Sequence, residues 1–138
     1  MFYKTMRVIF VLVSGLLMLR FAFPKLMAKP VSENTFEMLS EVRPINAKLF
    51  MYFTGGVELL IGLLLIISLL MRNRNTKIKF QIIGYFLLLS TMIGGLLTEF
   101  LARPEPKNIL VVIAAVLITI SISELSILSN KKKEMTFN

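Results

Sequence analysis

The stretch that decides the fold is LFMYFTGGVELLIGLLLIISLLM, residues 49–71. Its single charged residue is Glu58, and its apolar side chains do not alternate strictly with polar ones. A bilayer core about 30 Å thick needs about 20 apolar residues in α-helical form. A strand of a membrane barrel is shorter and alternates in polarity. The stretch therefore predicts an α-helix that crosses a membrane.

Three further apolar stretches surround it, at residues 8–28, 80–101 and 109–128. The whole chain of 138 residues is 56% hydrophobic, with a mean hydropathy of +0.77, which exceeds the usual range of soluble domains. The segments between the stretches are too short to bury a core of their own. We therefore predict an all-α membrane protein with one domain, residues 1–138, built as a four-transmembrane-helix bundle.

The first connection is the longest, and it has room for structure. Its apolar and acidic residues fall on opposite faces of a helix, with Phe36, Leu39 and Val42 against Glu33, Glu37 and Glu41. This pattern predicts an amphipathic helix at about residues 33–43 that lies at the membrane interface. An irregular loop is the alternative.

The start of the chain also has features of a signal peptide, since Lys4 and Arg7 precede an apolar stretch. Cleavage requires small residues after that stretch, and here the bulky Phe21 and Phe23 follow it. We therefore expect the first helix to be retained as a signal anchor.

Basic residues predict the orientation of the bundle. Four spans place both termini and the middle connection on one side of the membrane. That side carries nine basic residues, namely Lys4, Arg7, Arg72, Arg74, Lys77, Lys79, Lys131, Lys132 and Lys133. The other side carries six, namely Lys25, Lys29, Arg43, Lys48, Arg103 and Lys107. Because cytoplasmic segments carry the excess of Lys and Arg, both termini are predicted to be cytoplasmic.

Composition excludes several function classes. The chain has no cysteine, histidine, aspartate or tryptophan, so thiol redox couples, haem ligation by His, the usual zinc sites and Ser-His-Asp catalysis are excluded. No metal site and no nucleotide-binding loop is predicted. The net charge of +8 is clustered at the ends of the apolar stretches, which favours contact with membrane lipids over nucleic acid.

Ionisable residues inside membrane spans are candidates for a ligand pocket or a buried ion pair. The candidates chosen here are Arg20, Lys25, Glu58 and Glu99. At a rise of about 1.5 Å per residue, Arg20 and Glu58 lie at similar depths, roughly 18 and 16 Å above the cytoplasmic edge. We therefore predict that these two pair, and that Glu99 lies near the outer edge. Glu124 is expected to be a solvated anchor near the cytoplasmic end.

Small residues predict which helix faces are packed, because they allow a neighbouring helix to approach closely. Gly55 and Gly62 share one face with Glu58, and Gly56, Gly94 and Gly95 are the other glycines assigned to helix packing. Two comparable stripes are predicted on the third and fourth helices, formed by Tyr85, Leu88, Thr91, Gly95 and Thr98 and by Ala114, Leu117, Ser121 and Glu124.

Several of these residues also form short motifs, including Phe21-Ala22-Phe23-Pro24-Lys25-Leu26, Gly55-Gly56-Val57-Glu58-Leu59 and Gly62-Leu63-Leu64, with Arg7 before and Arg72 after. In these motifs the chain resembles the DoxX family of small four-helix bacterial membrane proteins. Ala22 departs from the pattern, since the family often has glycine there. The resemblance implies a bacterial inner (plasma) membrane location. Some relatives look like quinone-reducing subunits, and others are associated with membrane complexes against oxidative stress.

Three hypotheses for function follow. The first is an accessory or binding subunit, without catalytic activity of its own, for a lipid-soluble ligand such as a quinone or lipid or for a partner membrane or redox protein. The second is a subunit of a quinone-linked membrane oxidoreductase that is active only with an electron-carrying partner. The third is a small proton-coupled transporter in which Glu58 exchanges the proton.

Overall fold

The computed structural model describes residues 1–42, 46–102, 105 and 107–137. These residues form five α-helices, α1 (Phe2–Leu26), α2 (Pro30–Val42), α3 (Ala47–Leu70), α4 (Arg74–Ala102) and α5 (Asn108–Phe137). Four of them, α1, α3, α4 and α5, are long and apolar enough to cross a bilayer. The all-helical prediction with four long apolar helices is confirmed. Arg43 and Arg103, which entered the predicted interfacial helix and the charge count, lie outside the described residues.

The long helices extend beyond the predicted apolar stretches. α1 already begins at Phe2, α4 begins at Arg74, and α5 continues to Phe137. Hydropathy marks only the apolar part of a helix, whereas Lys and Arg are good helix formers and let the backbone hydrogen bonds continue into the charged ends. The number of long helices was therefore predicted correctly, but α1 and α4 begin earlier and α5 ends later than predicted.

The most extensive helix contact joins α1 to α3, and glycines allow it. A Cβ atom added to Gly62 would lie 3.0 Å from the backbone oxygen of Gly15 and 2.8 Å from the side chain of Leu19. A Cβ atom added to Gly55 would lie 3.0 Å from the Cβ of Lys25. The two helices thus approach each other at backbone distance along the face that carries Glu58.

The other glycines assigned to packing do not take part in it. A Cβ atom added to Gly56, Gly94 or Gly95 would meet no atom within 4 Å in the described structure, so the expected packing role is corrected for these three. Gly56 is one residue from Gly55, and one residue turns its Cα by about 100° away from α1. Instead, Gly84 of α4, for which no packing role was predicted, packs against Leu65 of α3.

The long helices follow one another around the bundle in the order α1, α3, α4 and α5, and α1 meets α5 only narrowly. Only 22–33% of the residues in their apolar stretches are buried, so most of their apolar side chains face outward, as in helices surrounded by lipid. The stripe predicted on the last helix is confirmed, since Ala114, Leu117, Ser121 and Glu124 are all buried. Its counterpart on α4 is confirmed at Tyr85 and Leu88, which are buried, but not at Gly95, which is exposed, and Thr91 and Thr98 are half-buried.

A tight turn connects α1 to α2. Ala28 has a φ of 49°, and hydrogen bonds from Lys29 N to Pro24 O (2.9 Å) and from Ala28 N to Lys25 O (3.3 Å) close the end of α1. This is the pattern of a Schellman motif, in which glycine usually takes the left-handed position. The turn reverses the chain so that α2 packs against α3 and α4.

The first connection, for which an amphipathic helix and an irregular loop were both considered, is thus helical. Its apolar and acidic faces lie as predicted. Phe36 and Leu39 are buried, whereas Glu37 and Glu41 are exposed. The rings of Phe36 and Phe50 pack edge to face with their centroids 5.6 Å apart, and this contact holds α2 against the first turn of α3. We call this the α2 end of the bundle, and the opposite end, which carries both chain termini, the terminal end.

Candidate functional site

An ion pair joins α1 to α3 near the α2 end. Lys25 Nζ donates a hydrogen bond to Glu58 Oε1, and the side chains are 20% and 4% exposed. Gly55 lies one turn before Glu58 and is in contact with the stem of Lys25. The glycine therefore brings the two backbones close enough for the lysine to reach the carboxylate.

Arg20, the partner predicted for Glu58, is exposed, and the prediction of this pair is wrong. The depth argument considered height along the helix but not direction around it. Arg20 follows the buried Met18 by two residues, which turns it about 200° away, whereas Lys25 follows Met18 by seven residues and returns to the same face. Lys25 therefore points into the bundle and Arg20 points out of it.

A cavity of about 680 Å³ lies at the α2 end and is lined by residues from all five helices. Most of its wall is apolar and includes Phe21, Phe53, Val57, Met92 and Ile113. Among the described residues, the charged ones in its wall are Lys25, Lys29, Glu58, Glu99 and Lys107. Ligand pockets typically measure about 300–1,000 Å³ and combine apolar walls with a few polar groups, and this cavity has both properties.

Glu99, one of the sequence candidates for a ligand pocket, belongs to the cavity wall. The residue is only 8% exposed, and its Oε2 accepts a hydrogen bond from the backbone N–H of Lys107 at 3.3 Å. Lys107 directly precedes α5, whose first N–H groups have no partners within the helix. The start of α5 thus gives this carboxylate a donor inside the bundle.

The Glu58 carboxylate is only half satisfied. Oε1 accepts from Lys25, but Oε2 is buried and has no hydrogen-bond partner among the described residues. A buried acceptor without a donor costs about 1–3 kcal/mol. No group of three or more His, Cys, Asp or Glu residues in the described part of the chain is arranged to hold a metal ion. The chemistry open to these side chains is hydrogen bonding, charge pairing and proton exchange.

A second ion pair lies at the terminal end. Arg7 Nε donates to Glu124 Oε2 at 2.9 Å, and the Glu124 side chain is 2% exposed, so the expectation of a solvated anchor is wrong. The buried hydroxyl of Tyr85 is close to this pair. The signal was present in the sequence, because Glu124 continues the buried stripe of Leu117 and Ser121.

Comparisons with protein-family models, with curated proteins and with solved structures find no match to this chain. The chemistry of the site therefore has to be inferred from its geometry. Of the four ionisable candidates taken from the sequence, the fold brings Lys25, Glu58 and Glu99 to one cavity and leaves Arg20 outside it.

Proposed function

We propose that this chain is a multi-pass membrane protein of the DoxX type that binds a lipid-soluble molecule, a quinone or a lipid, in the cavity at the α2 end. Four helices long and apolar enough to cross a bilayer support the membrane location. The observation that carries the binding role is the cavity itself, because its apolar wall contains the Lys25–Glu58 pair and Glu99.

The Lys25 ammonium suits the polar end of such a ligand. An ammonium group has three N–H donors, and Glu58 takes one of them. The remaining donors match a quinone carbonyl or the oxygen of a lipid headgroup. In surroundings of low dielectric constant these hydrogen bonds are stronger than in water.

The apolar part of the ligand has a matching surface. Aromatic and aliphatic side chains from α1, α3 and α5 line the cavity, among them Phe21, Phe53 and Ile113. Burying apolar surface is favourable by roughly 25 cal/mol per Å². A ring with the first part of a prenyl or acyl chain is a suitable size for this volume.

The resemblance to DoxX proteins supports an accessory role in the bacterial inner membrane. Its motif residues Lys25, Gly55, Glu58 and Gly62 are the residues of the α1–α3 contact and of the ion pair. We propose that the chain has no catalytic activity of its own and serves a partner membrane or redox protein. The quinone-linked oxidoreductase subunit remains the alternative, and an electron-carrying protein purified together with the chain would favour it.

Two measurements test the binding role. Mass spectrometry of small molecules retained by the protein after purification in mild detergent should detect a quinone or lipid. Added short-chain benzoquinone or naphthoquinone should raise the unfolding temperature of protein purified without it.

Gly95→Leu provides the specific variant for these measurements. Gly95 lines the cavity, and nothing lies within 4 Å of the position its Cβ would take, so leucine should fill the cavity without a clash of its Cβ atom. Gly56→Leu is the matched control, since this glycine also has free space but does not line the cavity. Loss of the retained molecule in Gly95→Leu, but not in Gly56→Leu, would support the proposal. Equal retention in both variants and in the native protein would contradict it.

One observation favours the proton-coupled transporter as a second candidate. Glu58 is buried, borders the cavity and holds a cation, so protonation of its carboxylate would release Lys25. Protein reconstituted into liposomes should then move a cationic dye in response to a pH gradient, and Glu58→Gln should abolish the movement. Dye movement that is unchanged in Glu58→Gln would exclude this mechanism.

A further inference from the structure

A second cavity, of about 340 Å³, lies at the terminal end of the bundle. Five cationic residues line it, and they come from three different helices: Lys4, Arg7, Arg74, Lys77 and Lys131. Tertiary structure brings them together, since the segments of α1, α4 and α5 that carry them lie far apart in the sequence. We call this cavity the basic cleft.

Positive charge in the basic cleft is poorly compensated within the chain. Among the described residues only one of its cations, Arg7, forms a salt bridge, with Glu124. Arg7 Nη2 is buried and has no hydrogen-bond partner in the described structure. Lys131 lies within electrostatic range of Arg7 and Arg74 and of the carboxylates of Glu124 and Glu134, so the five cations of the cleft outnumber the carboxylates near them. Crowded cations repel one another, so an anion bound between them would be stabilising.

The remaining wall of the basic cleft is largely apolar, with Val8, Val11, Leu69, Ile78 and Leu128 as neighbours of the cations. A free phosphate ion would gain nothing from these side chains. A phospholipid would gain from the cations and from the apolar wall, because its phosphate would contact the cations and its glycerol and first methylene groups would contact the apolar side chains. Basic pockets between the ends of membrane helices are suited to anionic headgroups.

We propose that the basic cleft binds the phosphate headgroup of an anionic phospholipid. Arg7, Lys4, Arg74, Lys77 and Lys131 surround the phosphate. The inference rests on the proposed membrane location but not on the ligand of the larger cavity, which lies at the opposite end.

Native mass spectrometry of the full chain in detergent tests the inference, with phosphatidylglycerol, phosphatidylcholine and inorganic phosphate as separate probes. Phosphatidylglycerol should bind as a single tight species, whereas the zwitterionic lipid should bind weakly. Equal retention of the two lipids would overturn the proposal. Binding of inorganic phosphate as strong as that of phosphatidylglycerol would overturn the assignment to a lipid and indicate a soluble anion.

The double variant Arg74→Gln with Lys77→Gln removes two cations of the cleft and leaves the Arg7–Glu124 pair intact. We expect binding of phosphatidylglycerol to weaken about fivefold for each cation removed. Lys132→Gln with Lys133→Gln is the matched control, because both lysines are exposed and neither lines the cleft. The same loss in both double variants would show general attraction to charge and would overturn the proposal.

Quinone retention separates this inference from the proposed function. The cleft variant should retain the small molecule of the larger cavity, and Gly95→Leu should retain phosphatidylglycerol. Each proposal can therefore fail while the other holds.

Discussion

Arg7 Nε and Glu124 Oε2 lie 2.9 Å apart and connect the first helix to the last across 117 positions of the chain. α1 and α5 otherwise meet only narrowly, so this ion pair closes the bundle at the terminal end. At the α2 end the larger cavity lies between the helices instead. The two ends therefore differ in structure, since an ion pair joins α1 to α5 at the terminal end and a cavity lies between the helices at the α2 end.

Replacement of Glu124 with Gln should destabilise the protein. The substitution leaves the partly buried Arg7 without its counter-charge, and breaking a buried pair on one side costs about 3–5 kcal/mol. Because the Arg7 side chain is 17% exposed, we expect a loss near the lower end of this range. Thermal unfolding in detergent measures it.

Glu134→Gln serves as the control for that experiment, since it removes the same charge from an exposed position of α5. Replacing both partners, as in Arg7→Met with Glu124→Leu, should recover much of the loss because no buried charge remains unpaired. Equal stability of Glu124→Gln and Glu134→Gln would show that the pair does not hold α1 to α5.

Lys25→Met should destabilise the α1–α3 contact through the same mechanism. Glu58 would remain buried without a cation, and the cost is roughly 3 kcal/mol, limited by uptake of a proton on the carboxylate. The double variant Lys25→Met with Glu58→Leu should be more stable than Lys25→Met alone. Arg20→Met is the matched control on the same helix, and because Arg20 is exposed it should change the unfolding temperature little. A larger effect of Arg20→Met would place the arginine inside the bundle after all.

Gly62→Ala should destabilise the bundle by about 1–3 kcal/mol, a typical cost of overpacking a tight contact. The new methyl group would lie 3.0 Å from the backbone oxygen of Gly15, which cannot move without shifting α1. Gly56→Ala should leave stability unchanged or slightly raised, since its methyl group meets no atom within 4 Å and alanine is the better helix former. The unfolding temperatures of Gly62→Ala and Gly56→Ala test this prediction. Equal values would mean that α1 and α3 can separate at no cost.

Both termini are predicted to be cytoplasmic, which reporter fusions can test. A reporter fused after Asn138 should show the cytoplasmic signal, because the terminal end carries the larger number of basic residues. A reporter inserted at Glu105, between α4 and α5, should show the opposite signal. A non-cytoplasmic signal from the Asn138 fusion would reverse the orientation, and equal signals from the two positions would change the number of spans.

The long helices could be predicted from the sequence because their cause is local. An apolar stretch such as residues 49–71 satisfies its backbone hydrogen bonds within its own helix and needs no distant partner. Buried stripes on single helices could also be predicted, as Ala114, Leu117 and Ser121 show, because they depend only on the helical period. The faces of α2 followed from the same period.

Pairing between helices was decided by tertiary structure. Depth along the membrane normal made Arg20 a reasonable partner for Glu58, but the rotation of α1 about its axis is set by packing of Gly15 and Gly55 against their neighbours. That packing turns Lys25 inward. Glu124 was misplaced for a related reason, since its nearness to the charged tail suggested solvent, whereas Arg7 of the first helix covers it.

Both cavities were likewise decided by tertiary structure. The basic cleft brings together Lys4, Lys77 and Lys131, which sequence analysis could count only as topology signals. The amino-acid sequence by itself thus determined which segments are helices and which face of each is small or apolar, because propensity and periodicity act within a helix. Only the tertiary structure decided which charges meet, because an ion pair depends on the rotation and spacing of two helices together.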